Sequence, residues 1–267
     1  MRAISTWWKQ YKYRFVPWIA LTLKDRSVRA VPSCASDELI SNGEIRASLQ
    51  NLFSQFNQDA QSATSYKSAL HAANLGIMKS QMGFKVIRKP SRLKGGGTGV
   101  FVADGIAKKG TVVAMYPGAI YALSDPIFFQ SLGNPFIFRC IDGILIDGND
   151  KNLSKFLFKS CANRDYAGRH AVCDTSWLTE SPVNPLAIGQ YVNNHNKEHP
   201  ANVAYQEYDF PLDFPLNQRK YIPNVFHAAS IHYHGVSRLC RTVVLISTRD
   251  IQEGEELFST YFTVVNK

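Results

Sequence analysis

The residues best suited to hold a ligand through their main chain are Lys94-Gly95-Gly96-Gly97-Thr98-Gly99, which run directly into the apolar Val100-Phe101-Val102. With so few side chains in the way, such a loop lets a ligand approach backbone N–H and C=O groups closely. It is not a dinucleotide fingerprint, because the third glycine is absent and a strand follows where a helix should begin, and it lacks the Gly-Lys-Ser/Thr of a phosphate loop. Read alone, an ordinary flexible β-turn is the simpler reading. His227, His232 and His234 lie close together in sequence, yet no carboxylate or cysteine stands at ligand spacing, so they are expected to be surface or loop histidines and no metal is expected. The five cysteines are odd in number, widely spaced and never C-x-x-C, which argues against a disulfide framework, a structural zinc site and a thiol nucleophile. They fit a reducing intracellular compartment. Asp250, Glu253, Glu255 and Glu256 could do acid–base work, but a solvated turn in which Glu255 holds backbone donors is the simpler expectation.

These residues need a frame. A chain of 267 residues that is 45% hydrophobic can bury a core, and no apolar run approaches the roughly 20 residues of a membrane span. Ser41-Asn42-Gly43-Glu44 is a capping box that opens an amphipathic helix through Ile45, Leu49, Leu52, Phe53 and Phe56, and a second helix is predicted over about residues 66–82. After Pro90 the texture changes to short β-branched and aromatic runs at 100–103, 111–116, 136–139, 141–146 and 242–247, separated by glycine or proline. The expected class is mainly β with helices (α+β). A basic, helical extension at 1–83 precedes one domain at 84–267, and a stretch at about 149–188 with little periodicity is inserted between strands.

Thirty Lys+Arg against 21 Asp+Glu give a net charge of +9, which favours anionic partners. Residues 1–24 hold Arg2, Lys9, Lys12, Arg14 and Lys24, no acid, and six aromatics between Trp7 and Trp18. That composition suits a mitochondrial presequence or a tether on an anionic surface better than a secretory signal; a segment packed on the domain by its aromatics is the alternative. Nucleus or cytoplasm is the expected location, with the mitochondrion as alternative.

Four segments, in order, resemble the SET-domain family of protein-lysine methyltransferases over about residues 84–262. They are Gly97-x-Gly99-Val-Phe with Tyr116-x-Gly118, then Ile146-Asp147-Gly148, then Gly189-Gln190-Tyr191-Val192-Asn193-Asn194-His195, and last Arg249-Asp250-Ile251-x-x-Gly254-Glu255-Glu256-Leu257-x-x-x-Tyr261. The resemblance implies a β-clip whose C-terminal end threads, as a pseudoknot, beneath the loop around Asn193 and Asn194. It implies S-adenosyl-L-methionine as cofactor, met by the backbone of Gly96, Gly97, Thr98 and Gly99 and by Asn193, Asn194 and His195, with Tyr261 beside it. It implies a protein lysine as substrate and Tyr261 as the catalytic tyrosine. Tyr205 is a candidate second channel tyrosine or a structural strand aromatic.

Methyl transfer to an amine is mainly a positioning problem, and burial in an aromatic channel favours the neutral amine that must attack. Three departures from the family pattern stand out. Asn194 or, one residue shifted, His195 takes the histidine place of Asn-His-Ser, Thr260 replaces the usual aspartate before the tyrosine, and no cysteine-rich stretch follows Tyr261. The first of these keeps open a second expectation, a SET-fold scaffold with weak or absent turnover.

Overall fold

The computed structural model describes residues 11–13, 28–56, 67–167, 170–228 and 239–265. Most of the basic segment 1–24 and the pair His232 and His234 lie outside them. Strands β1 (Tyr11–Tyr13) and β2 (Val28–Val31) precede helices α1 (Asn42–Gln55) and α2 (Lys67–Met82). Next come the hairpin β3 (Phe84–Pro90) and β4 (Thr98–Gly105), then β5 (Val112–Tyr116), β6 (Gly118–Tyr121), a one-turn helix α3 (Phe128–Ser131), β7 (Ile137–Arg139) and β8 (Leu145–Asp147). Helix α4 (Asn152–Arg164) opens the inserted stretch, which continues through the short β9 (Tyr166–Ala167) and β10 (His170–Ala171). The chain then passes through β11 (Asn193–Asn194), β12 (Val203–Phe210), α5 (Leu216–Arg219), β13 (Asn224–Phe226), β14 (Cys240–Ser247), β15 (Phe258–Ser259) and β16 (Phe262–Val265). Among the described residues no helix is long and apolar enough to cross a membrane.

Two sheets carry the domain. Antiparallel β12, β14 and β5 form the first, and β13, β6, β8 and β7 the second, with β13 parallel to β6 and the others antiparallel. Strands β5 and β6 are buried at every position, as their unbroken apolar sequence requires when both faces are covered. The capping box forms as predicted: Glu44 N donates to Ser41 Oγ and Ser41 N to Glu44 Oε2.

Helix α1 is welded to the domain. Phe53 and Phe56 pack on Tyr221 at 5.6 and 5.2 Å between ring centroids, and the Gln206 side chain of β12 bonds Leu39 N and both N and O of Ile40. Ile45 and Leu49 therefore share one core with Val244 and Ile246 of β14. Phe53→Ala is expected to cost about 3–5 kcal/mol and to shift one cooperative unfolding transition; a separate, unmoved transition for the β domain would show that the helices fold apart from it.

Two predicted elements differ from the structure. The run 141–146 is not one strand: Cys140 and Ile144 close a tight turn with Gly143 at φ +90°, and only Leu145–Asp147 pairs. The Asp142-Gly143 dipeptide is the turn signal that breaks it. The inserted stretch contains the 13-residue helix α4, whose buried face is Ser154, Phe158, Cys161 and Ala162. That spacing is helical, but only Phe158 is strongly apolar, while Leu153 and Phe156 on the opposite side are exposed, so the sequence shows no amphipathic period. Phe158 meets Trp177 edge-on at 4.9 Å in a second, smaller core with Tyr121 and Val225.

Candidate functional site

The turn joining β3 to β4 is closed by Ser91 N donating to Gly97 O at 2.8 Å and Gly96 N donating to Leu93 O at 2.9 Å. Gly95 and Gly97 sit at φ +79° and +60°, the left-handed region that glycine enters without strain. Gly99 is needed for a different reason: a Cβ there would collide with the carboxylate of Glu256.

Glu256 organises this corner and is only 2% exposed. Its Oε1 accepts from Ser91 Oγ at 2.6 Å and from Asn193 Nδ2 at 3.3 Å, while Oε2 accepts from Arg92 N at 2.8 Å. Asn193 Nδ2 also donates to Thr98 O at 3.1 Å. One buried carboxylate thus fastens the glycine turn to the asparagine segment. The solvated-turn reading fits its neighbours instead: Glu255 accepts from Gln252 N and pairs with Arg249, which holds its carboxyl below the ordinary range, and Asp250 is held low by Lys108. Nothing in the sequence separates Glu256 from Glu255 except its position opposite Gly99.

The C-terminal segment is threaded. On one side Leu257 N donates to Val100 O at 2.7 Å and Val102 N to Glu255 O at 3.0 Å. On the other, β15 runs parallel to β11, Asn193 facing Phe258 and Asn194 facing Ser259, and His195 N donates to Ser259 O. The Asn202 side chain closes the slot by donating to Glu256 O and accepting from Phe258 N, both at 2.8 Å. Sequence reasoning passed over Asn202, whose signal is that an asparagine is fully buried beside a strand.

Gly97, Thr98, Gly99, Asn193, Asn194, His195 and Tyr261 are thereby brought together. Gly96 lies inside the turn with its amide already spent on Leu93. Tyr261 is held by Asn194, whose Oδ1 accepts from Tyr261 N at 3.0 Å, and its hydroxyl donates to Val192 O at 3.2 Å. Burial, then the neighbouring Tyr205, pushes the Tyr261 phenol far up, so it stays protonated at physiological pH. Tyr205 is 1% exposed, and Ser259 Oγ donates to its oxygen at 2.9 Å. Its ring packs against Phe138 and Tyr116.

A cleft of about 930 Å³ opens beside the turn, bounded by Gly97, Thr98, Arg88, Tyr191, Lys155 and Pro182. Tyr191 OH donates to Asp150 at 2.6 Å, and the Arg88 guanidinium lies 4.9 Å from the Tyr191 ring centre while bonding Thr179 O. These contacts tie the inserted stretch to the turn. Elsewhere, Cys140, Asp142 and Glu207 bring possible ligand atoms within 4.8 Å of one another, but Arg241 pairs with both carboxylates and supplies the cation itself. His227 stacks on Tyr121 at 4.4 Å between ring centres.

A strand-rich α+β domain with its last segment threaded between a glycine hairpin and an asparagine loop, ending in a half-buried tyrosine, is a SET domain. Human SET domain-containing protein 9 is 42% identical to the chain over 299 residues, covering all of it and 98% of the human protein. The Pongo abelii protein of the same name is 51% identical over 190 residues, 71% of this chain and 68% of its own. The chain belongs to the SET domain-containing protein 9 family. No family model matches it. Among solved structures, CpSET8 from Cryptosporidium aligns over 97% of this chain and 94% of its own with TM-score 0.34 and 14% identity. An autoinhibited ctPRC2 bound to S-adenosylmethionine aligns over 82% of this chain and 19% of its own, with TM-score 0.37 and 15% identity.

Proposed function

We propose that the chain methylates the side-chain amine of a lysine in another protein, with S-adenosylmethionine as donor. The observation that carries this reading is the threaded segment, which gathers the glycine turn, Asn193, Asn194 and Tyr261 around one corner. The adjoining cleft has the size of a small-molecule site, and Gly97 and Thr98 line it together with the basic Arg88 and Lys89. Those features fit an elongated ligand that carries a carboxylate at one end.

S-adenosylmethionine, when bound, supplies a methyl group activated on a sulfonium. The turn at Gly97, Thr98 and Gly99 would carry its methionine end, with Gly96 shaping the turn from within, and Asn193, Asn194 and His195 the remainder. Tyr261, protonated, orients the incoming amine and cannot serve as its base. Desolvation strips the substrate ammonium of its proton on entry, and the proton leaves to water. Tyr205, sealed in the core, acts as a positioning residue that holds Ser259 in register with Asn194.

Calorimetric titration with S-adenosylmethionine tests the first step, and saturable binding is expected. A folded protein that binds none at millimolar concentration would sink the enzymatic reading and leave a scaffold. Label transferred from the cofactor to lysine in a protein mixture, read by mass spectrometry, tests the second.

A further inference from the structure

A second cleft, of about 610 Å³, lies at the end of β12 remote from Asn202. Leu123, Phe226 and Leu239 give it apolar walls, and Leu123 and Leu239 are 79% and 45% exposed. Its charges are unequal. Among the described residues that line it, Arg241 is the one cation. The guanidinium donates to both oxygens of Asp209 at 2.7 and 3.2 Å, pairs with Asp142 at 3.0 Å, and reaches Glu207 beside them at 3.0 Å. Three carboxylates share one guanidinium, so the cluster is net negative on a chain whose net charge is +9. The Arg241 side chain is 15% exposed, whereas those of Asp142 and Asp209 are 41% and 36% exposed. An occupant therefore meets carboxylate oxygens and apolar walls, which suits a segment that is both cationic and aromatic.

Residues 1–10 have that chemistry: Arg2 and Lys9, no acid, and the pair Trp7-Trp8. They also have the reach. They run directly into β1, which lies against β7, and Asp142 stands three residues past the end of β7. The five residue steps from Ile137 to Asp142 cover at most about 19 Å, while ten extended residues span about 33 Å. Residues 14–27, by contrast, are spent joining β1 to β2 on the opposite edge of β16.

We infer that residues 1–10 dock in this cleft, the indoles against Leu123, Phe226 and Leu239 and the cations against Asp142 and Asp209, and so pin β1 on β16. Burial of the indoles supplies the affinity, and the charges select a basic occupant. Because the segment is tethered through β1, its effective concentration is high and a weak intrinsic affinity suffices to keep it seated. The same face of a second copy would bring the same carboxylates, and nucleic acid or anionic lipid would be repelled by them. The inference stands apart from the methyltransferase reading.

Carbodiimide coupling of the full chain, followed by peptide mass spectrometry, tests it. A link from Lys9 to Asp142 or Asp209 is expected, and in an equal mixture of nitrogen-15-labelled and unlabelled protein each linked pair should carry a single label. Tryptic cutting after Lys9 gives a second reading. W7S/W8S and, separately, Leu123→Ser should speed it on the order of tenfold, and Arg2→Glu several-fold. Leu123 is exposed, so its variant should melt as wild type does; the tryptophan variant changes nothing in the cleft itself. Three results would overturn the inference: no link from Lys9 to either carboxylate, links that join labelled to unlabelled chains and so assign the cleft to a second copy, or wild-type cutting rates in the tryptophan variant.

Discussion

Tyr261→Phe should fold and bind cofactor as wild type does, yet transfer methyl groups on the order of a hundredfold more slowly or worse. One oxygen is removed, and the ring keeps its place because Asn194 holds the Tyr261 backbone rather than its hydroxyl. The hydroxyl's contact with Val192 O is long, at 3.2 Å, so little stability rests on it. A group that costs little to remove at rest and much during reaction is one that orients the nucleophile near the transition state. Single-turnover transfer of labelled methyl, beside thermal melting and cofactor titration, reads the three quantities separately. Wild-type rates in the variant would demote Tyr261 to a core aromatic.

The second large effect is expected at Glu256. Glu256→Ala strands the Ser91 hydroxyl and the Arg92 amide and leaves Asn193 Nδ2 with Thr98 O alone, and should cost about 3 kcal/mol of stability and at least tenfold in cofactor affinity as the glycine turn loosens. Gly99→Ala should be comparably harmful, since its methyl group and the carboxylate compete for one space. Combined, the two should not add: with the carboxylate gone the methyl group has room, and a coupling of about 1–3 kcal/mol is expected from a double-mutant cycle by denaturation. Additive losses would mean that Gly99 is required for something other than Glu256.

The sequence was readable where local chemistry dictates local shape. The α1 capping box, the glycines of the β3–β4 turn and the Gly254-Glu255-Glu256-Leu257 run each specify their own conformation, and the order of the motifs located the threading. Helix α4 escaped because Ser154 and Cys161 line its buried face where leucines would have shown the period. Glu256 escaped because a buried and a solvated glutamate are the same letter; what distinguishes it is Gly99, far away in the chain, leaving room for its carboxylate. The flanking of β16 by β1 on one side and β2 on the other is likewise a pairing between chain ends, with no local signature at either.

The slot that residues 255–261 occupy is built entirely from chain that precedes them. During synthesis β4, β11 and Asn202 leave the ribosome first and must wait, with the main-chain groups of Val100, Val102 and Phe258's partner Asn193 open, for a segment not yet made. Tyr261 can reach its place only after residues 255–260 have threaded, so this corner closes after the sheets that frame it have formed. Contacts of such long sequence separation also make this insertion the slow step of folding. A chain truncated near residue 254 would keep its two main sheets, lose the strand between β1 and β2, expose unpaired edges where the slot stands empty, and be prone to aggregate through them.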